Sequence, residues 1–164
     1  MTNTSRLVGA ALLMASALMA PPVAAQGPPA MYGNPITADQ AKPIAAAAIA
    51  EAKKNQWTMA IAIVDPWGEL VYFERMDNTQ VGSVDIAQAK ARSAARFKRP
   101  TKAFQDALAA GGDGWRILSL AGAVAVEGGV PLMMGGRIVG AIGASGGTSQ
   151  QDGATAAAGA AGIK

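Results

Sequence analysis

The stretch Met59-Ala60-Ile61-Ala62-Ile63-Val64-Asp65-Pro66-Trp67-Gly68-Glu69-Leu70-Val71-Tyr72-Phe73-Glu74-Arg75 sets two β-rich runs on either side of a four-residue turn. Proline presets φ at the second turn position, and Asp and Gly take the outer ones, so the stretch reads as a β-hairpin. A second hairpin lies downstream, where Val130 to Met134 and Arg137 to Ser145 flank Gly135-Gly136, a pair suited to the positive φ values of a two-residue turn. Ala123 to Glu127 reads as one further strand. Adjacent strands joined by hairpins, with helices before, between and after them, predict an α+β domain built on a five-stranded, mostly antiparallel sheet.

The helices follow from spacing and punctuation. Ala41, Ile44, Ala45, Ala48, Ile49 and Ala52 recur at helical intervals, and Thr37-x-x-Gln40 can form a capping box, which predicts a helix over 38–55. Pro43 argues for a start nearer 42. Ser83 or Asp85 opens a second helix to about Phe97, closed by Arg99-Pro100 because the residue before proline avoids helical angles. Thr101 caps a short helix to Ala110, Gly111-Gly112-Asp113-Gly114 reads as a flexible loop, and an Ala-rich helix runs from about Ser149 to Ala161. The predicted order is α-β-β-α-α-β-β-β-α.

Of 164 residues none is Cys and none is His, which removes disulfides, thiolate metal sites, iron–sulfur clusters, a Ser-His-Asp triad and His-ligated metals. Arg6, the apolar run Leu7 to Ala20 and the small residues Val23-Ala24-Ala25 read as a signal peptide over residues 1–25, which predicts a periplasmic or secreted protein. The apolar run is too short to span a bilayer, so no stable membrane insertion is expected. Residues 26–35, rich in Pro and Gly, read as an extended leader, and residues 36–164 as one domain. Cleavage lowers the net charge from +3 to about +2, and with eight aromatics and no recognition motif nucleic acid is not an expected partner.

Three clusters are candidates for chemistry. Gly143-Ala144-Ser145-Gly146-Gly147 satisfies G-x-S-x-G at a strand-to-helix turn, but a nucleophilic serine needs a base and the usual one is absent. Its bland reading is a tight turn of small residues. Free N–H groups at Gly146-Gly147 can also hold an anion. Lys90, Arg92, Arg96, Lys98, Arg99 and Lys102 form a basic stretch that reads as a solvated face or an anion-binding patch. Glu74-Arg75-Met76-Asp77 at the end of the first hairpin, with Asp85 and Lys90 beyond it, makes either a polar ligand site or loop-fixing ion pairs. Met31, Met59, Met76, Met133, Met134, Tyr32 and Tyr72 are the Met and Tyr side chains able to ligate an iron after cleavage, and Met in apolar β-runs is ordinarily core filler, so no metal site is assigned.

Taken together, Ile61-Ala62-Ile63-Val64-Asp65-x-x-Gly68-x-Leu70, Arg75-Met76-Asp77, Ala87-x-x-Lys90-Ala91, Arg99-Pro100-Thr101, Gly128-Gly129-Val130-Pro131-Leu132 and Gly140-Ala141-Ile142-Gly143-Ala144-Ser145-Gly146-Gly147-x-x-x-Gln151-Asp152 resemble the GlcG/HbpS family, which includes haem-binding proteins and PduO C-terminal-like domains. The resemblance covers about residues 36–162. It implies a profilin-like three-layer α/β/α fold, homo-oligomers from dimer up to octamer, and haem or a related tetrapyrrole as cofactor. A threonine matching Thr101 is associated with haem in that family. The haem-ligating histidine of the PduO-type domain has no counterpart, and the paired acids that HbpS uses for surface iron appear as Asp85 and Gln88, with one carboxylate lost.

The reading that results is an exported haem-binding protein rather than an enzyme. Its polar lining is expected from Thr101, Lys90, Arg75, Arg96 and Asp77, with Ser145, Gly146 and Gly147 as a second anion site. Two alternatives stand beside it. One is an enzyme acting on a small periplasmic metabolite, with Lys90 as acid/base near Arg75 and Asp77; the other is a ligand-free accessory oligomer.

Overall fold

The computed structural model describes residues 30–163. The signal-peptide reading and residues 26–29 of the leader lie outside the described residues. The strands are β1 (Ala60–Val64), β2 (Leu70–Arg75), β3 (Gly129–Met134) and β4 (Arg137–Ser145), and the helices α1 (Ala38–Lys54), α2 (Ser83–Phe97), α3 (Thr101–Ala109) and α4 (Ser149–Ala161). Both hairpins form, and they join side by side as one antiparallel sheet in the order β2-β1-β4-β3.

The sheet has four strands among the described residues and not the five expected. Ala123 to Glu127 does not pair, because its backbone donors are taken by helix side chains: Val124 N–H donates to Ser93 Oγ at 3.0 Å and Glu127 N–H to Gln105 Oε1 at 2.8 Å. Apolar, β-branched residues make the run strand-like, yet a donor already bonded to a side chain cannot extend a ladder.

All five residues of β1 are buried, so its alternation is hidden in composition and shows only in direction. Met59, Ile61 and Ile63 point to one face and join Ile142, Ala144 and Leu132 under α1 and α4, where Ile44, Ala48 and Ala156 close the larger core. Ala60, Ala62 and Val64 point to the other face and meet Ala87, Ala91, Ala94 and Ala95 of α2. The result is three layers, with the sheet between two helical faces. Alanines make up the face that α2 lays on Ala60, Ala62 and Val64, which lets that helix lie almost directly on the strands. A Cβ at Gly143 would fall against the Ala87 carbonyl and 2.6 Å from the Ala91 nitrogen.

α1 begins at Ala38, earlier than Pro43 suggests. Thr37 accepts from the Gln40 N–H while the Gln40 side chain accepts from the Thr37 N–H, so the cap fixes the start and the helix runs on through Pro43. Of the two starts considered for α2, Ser83 is the one observed. Gly111 to Gly114, expected as a flexible loop, instead leads into a 3₁₀ helix over Gly112–Ser119 that lies against α3, with Gly114 touching the Ala107 carbonyl. Part of the leader is ordered along β4 where β1 has ended. The Met31 carbonyl accepts from Ile138 N–H at 2.9 Å, and Gly33 and Ile36 N–H donate to Ile138 and Val139 carbonyls at 2.8 Å. Tyr32 anchors it, with its hydroxyl donating to the Ala95 carbonyl at 3.0 Å and the Lys98 ammonium 4.2 Å from its ring centroid.

Candidate functional site

Lys90 is the largest side chain that the fold buries completely, at 1 % exposure. It leaves the third turn of α2, passes the start of β3 and meets Asp152 in the first turn of α4, with Nζ 2.6 Å from Oδ2. Its second acceptor is the Ala144 carbonyl at 3.3 Å. The other Asp152 oxygen, Oδ1, accepts from Gly147 N–H at 3.0 Å. The pair therefore ties a helix of one layer to a helix of the other at the end of β4. A buried charge is tolerated only where such partners meet it.

Gly128 and Gly129 close over this pair. Gly128 has φ +130°, and a Cβ there would lie 2.7 Å from the Ala144 carbonyl, 2.8 Å from Asp152 Cβ and 2.9 Å from Lys90 Nζ. Gly129 presses on the Lys90 carbonyl and on Thr101, whose Oγ1 accepts the Gly129 N–H at 2.9 Å. Thr101 is fully buried and is the first residue of α3. With the Glu127 N–H bond to Gln105, that bond ties α3 to the body of the domain.

The residues expected to act together are thus divided among three places. Lys90, Thr101, Ser145, Gly146 and Gly147 gather around the end of β4 and the start of α4. Ser145 is buried with its hydroxyl 3.2 Å from that of Ser83, and the Gly147 N–H expected to hold an external anion holds the Asp152 carboxylate. Arg96 is a clamp on the first hairpin: its Nε donates to the Trp67 carbonyl at 2.7 Å and its guanidinium lies 3.5 Å from Glu69, while Arg92 Nε donates to the Gly68 carbonyl. Arg75 and Asp77 line a separate polar hollow with Lys53, Glu74 and Met76. Beside it, the hydrogen bond from the Tyr72 hydroxyl to Glu74, then burial, then the Glu74 charge raise the Tyr72 phenol above its ordinary range. Lys90 bonds Asp152 and Ala144, not Arg75 or Asp77.

One concave surface combines apolar walls with cations. It lies between α3 and the 3₁₀ helix, has a volume of about 420 Å³, and is lined by Ala103, Phe104, Ala107, Ile117 and Leu120, with Arg99, Arg116 and Asp113 among its polar lining. The three-residue period of the 3₁₀ helix explains its sidedness. Gly114, Ile117 and Leu120 fall on the groove side, whereas Trp115 and Leu118 stand outward at 66 % and 76 % exposure. Phe104 is held by edge-to-face contact with Phe97 at 5.3 Å between centroids, and the Arg99 guanidinium carbon sits 5.5 Å from its ring. Arg116 is paired with Asp113. Of these lining residues, sequence reasoning singled out only Arg99, as part of the basic stretch. The signal for the rest was Ile117 and Leu120 three apart, in a run to which the sequence reading assigns no element.

The wall of this groove formed by α3 rests on the Thr101–Gly129 bond and, through Gly129, on Lys90 and Asp152. The groove presents an apolar wall and two guanidinium groups, one of them, that of Arg116, paired with Asp113. Among the described residues no cluster of three His, Cys, Asp or Glu is placed to hold a metal ion.

Comparison with known proteins accords with this architecture. The model of a family described as haem degrading protein HbpS-like matches residues 36–161. The Escherichia coli protein GlcG is 38% identical over 110 residues, which is 67% of this chain and 81% of GlcG. Among solved structures, a double mutant of HbpS from Streptomyces reticuli superposes with a TM-score of 0.74 at 30% identity, covering 89% of this chain and 99% of that one. A PduOC:haem complex superposes with a TM-score of 0.71 at 26% identity, covering 79% and 96%. With one family model spanning the sheet, both helical layers and the α3 groove, the chain, which is also similar to GlcG, belongs to the HbpS-like family.

Proposed function

We propose that this protein is exported and binds haem, or a related tetrapyrrole, in the groove between α3 and the 3₁₀ helix. The observation that carries the reading is the composition of that groove. An amphipathic macrocycle needs an apolar wall for its ring, which Ala103, Phe104, Ala107, Ile117 and Leu120 supply. It also needs cations for its carboxylates, and Arg99 and Arg116 line the same groove. The family description and the haem complex of a structural neighbour support the same ligand class. Arg6, the apolar run from Leu7 and Val23-Ala24-Ala25 support export to the periplasm or beyond.

The fit is to the ring and its acids. No imidazole or thiolate exists in the chain to ligate the iron, so affinity rests on apolar contact and propionate pairing and is modest. Lys90, Asp152 and Thr101 act in this scheme as the frame that holds α3 at its angle. A haemin titration followed by visible absorption tests the proposal. The expected result is a saturable Soret shift at about one haem per subunit or per dimer. Replacing both Arg99 and Arg116 by Ala weakens it by up to about fivefold for each ion pair lost, since an exposed pair is worth up to ~1 kcal/mol. A featureless, non-saturating response, or a double variant that titrates like the parent, overturns it.

A further inference from the structure

The polar hollow of Lys53, Glu74, Arg75, Met76 and Asp77 takes no part in the haem groove. Its volume is about 360 Å³, near the small end of the range for ligand pockets, about 300–1,000 Å³. Lys53 stands in the last turn of α1, and Glu74 lies opposite Ile61 in the strand register, on the face that α1 covers. Beyond β2 the chain turns back on the Met76 carbonyl, which accepts from Thr79 N–H at 3.3 Å and from Thr79 Oγ1 at 2.8 Å, with Asn78 left-handed at φ +61°. That closed turn carries Asp77. A carboxylate on a fixed turn loses little freedom when it binds.

Two cations and two carboxylates share this space, and none of them pairs with another. Among the described residues Lys53, Arg75 and Asp77 make neither an ion pair nor a side-chain hydrogen bond, although five ion pairs form elsewhere on the surface, one of them between Glu51 and the adjacent Lys54. Glu74 is held through Oε2 by the Tyr72 hydroxyl at 2.9 Å, which leaves Oε1 open. Opposite charges that border one hollow without closing on each other leave room for a partner. Their sum is zero, so a simple anion or a simple cation meets as much repulsion as attraction, whereas a molecule bearing one charge of each sign is matched. We propose that the hollow binds a small zwitterion, an α-amino acid, with its carboxylate on Lys53 and Arg75 and its ammonium on Glu74 and Asp77. Met76, packed against the larger core, supplies an apolar wall and favours an apolar side chain.

Saturation-transfer difference NMR, which reads weak binding from the ligand's own signals, tests the assignment with L-leucine and two analogues that each lack one charge, 4-methylpentanoate and 3-methylbutylamine. L-leucine is expected to saturate. Each analogue is expected to bind more weakly by up to about twenty-five-fold, since an exposed ion pair is worth up to about fivefold and two are lost. Lys53→Gln and Asp77→Asn are each expected to weaken L-leucine by up to about fivefold, and Lys54→Gln, adjacent in sequence but outside the lining, to leave it unchanged. The Lys53 and Asp77 side chains are exposed and unpaired, so these variants keep the fold. L-leucine that fails to saturate overturns the proposal, as do analogues that bind as well as L-leucine, or Lys53→Gln and Asp77→Asn that titrate like Lys54→Gln. The haemin titration reads the α3 groove, and its outcome does not bear on this one.

Discussion

Removing the carboxylate of Asp152 is the perturbation to which the fold is expected to be most sensitive. Lys90 Nζ is left with the Ala144 carbonyl at 3.3 Å as its one remaining acceptor in a site where the lysine side chain is 1 % exposed, and the Gly147 N–H loses its bond to Oδ1. Breaking a buried pair from one side costs about 3–5 kcal/mol, because the surviving charge stays desolvated. A domain of this size is stable by about 5–15 kcal/mol, so Asp152→Ala removes a large share of the total. Urea unfolding followed by circular dichroism measures it. The internal control is Asp39→Ala, which breaks the exposed Lys42–Asp39 pair and is expected to cost less than ~1 kcal/mol. Lys90→Met combined with Asp152→Ala removes the stranded charge, so the double variant is expected to be more stable than the sum of the two single losses predicts, by about 2 kcal/mol. An Asp152→Ala loss no larger than that of Asp39→Ala, or purely additive losses in the cycle, refutes the reasoning.

Two further outcomes follow from the geometry. Gly143→Ala sets a methyl against the Ala87 carbonyl and 2.6 Å from the Ala91 nitrogen, forcing α2 off the sheet; a destabilisation of about 1–3 kcal/mol in the same unfolding assay is expected, and an unchanged midpoint contradicts the close helix–sheet approach. Burial raises the Tyr32 phenol above its ordinary value of 10.0, so the folded state keeps that proton more tightly than the unfolded one. Its contribution is complete below about pH 10 and is lost as pH rises through the folded value; alkaline denaturation monitored at the tyrosinate absorbance is expected to lose this phase in Tyr32→Phe, and a phase that persists refutes the assignment.

How far the sequence discloses this molecule depends on the range of the forces concerned. Both hairpins are legible because Asp65-Pro66-Trp67-Gly68 and Gly135-Gly136 state their turns within four residues, and α1 is legible because Thr37 and Gln40 state its cap. Ala123 to Glu127 misleads because Ser93 and Gln105, 31 and 22 residues away, take its donors. Lys90 and Asp152 are 62 apart, and nothing in their spacing announces a pair. The motif residues Lys90, Thr101, Gly128, Gly129, Gly147 and Asp152 prove to be neighbours that hold one another: a buried cation, its counter-ion, the glycines that alone fit against them and the threonine that fixes α3. A motif of that kind reports a scaffold. In the proposed function the ligand is chosen instead by Phe104, Arg116, Ile117 and Leu120, which belong to none of the quoted motifs. Proteins carrying the same motifs are then free to differ in what they bind, and a change of ligand is expected to show first in α3 and the 3₁₀ helix while the Lys90–Asp152 frame stays as it is.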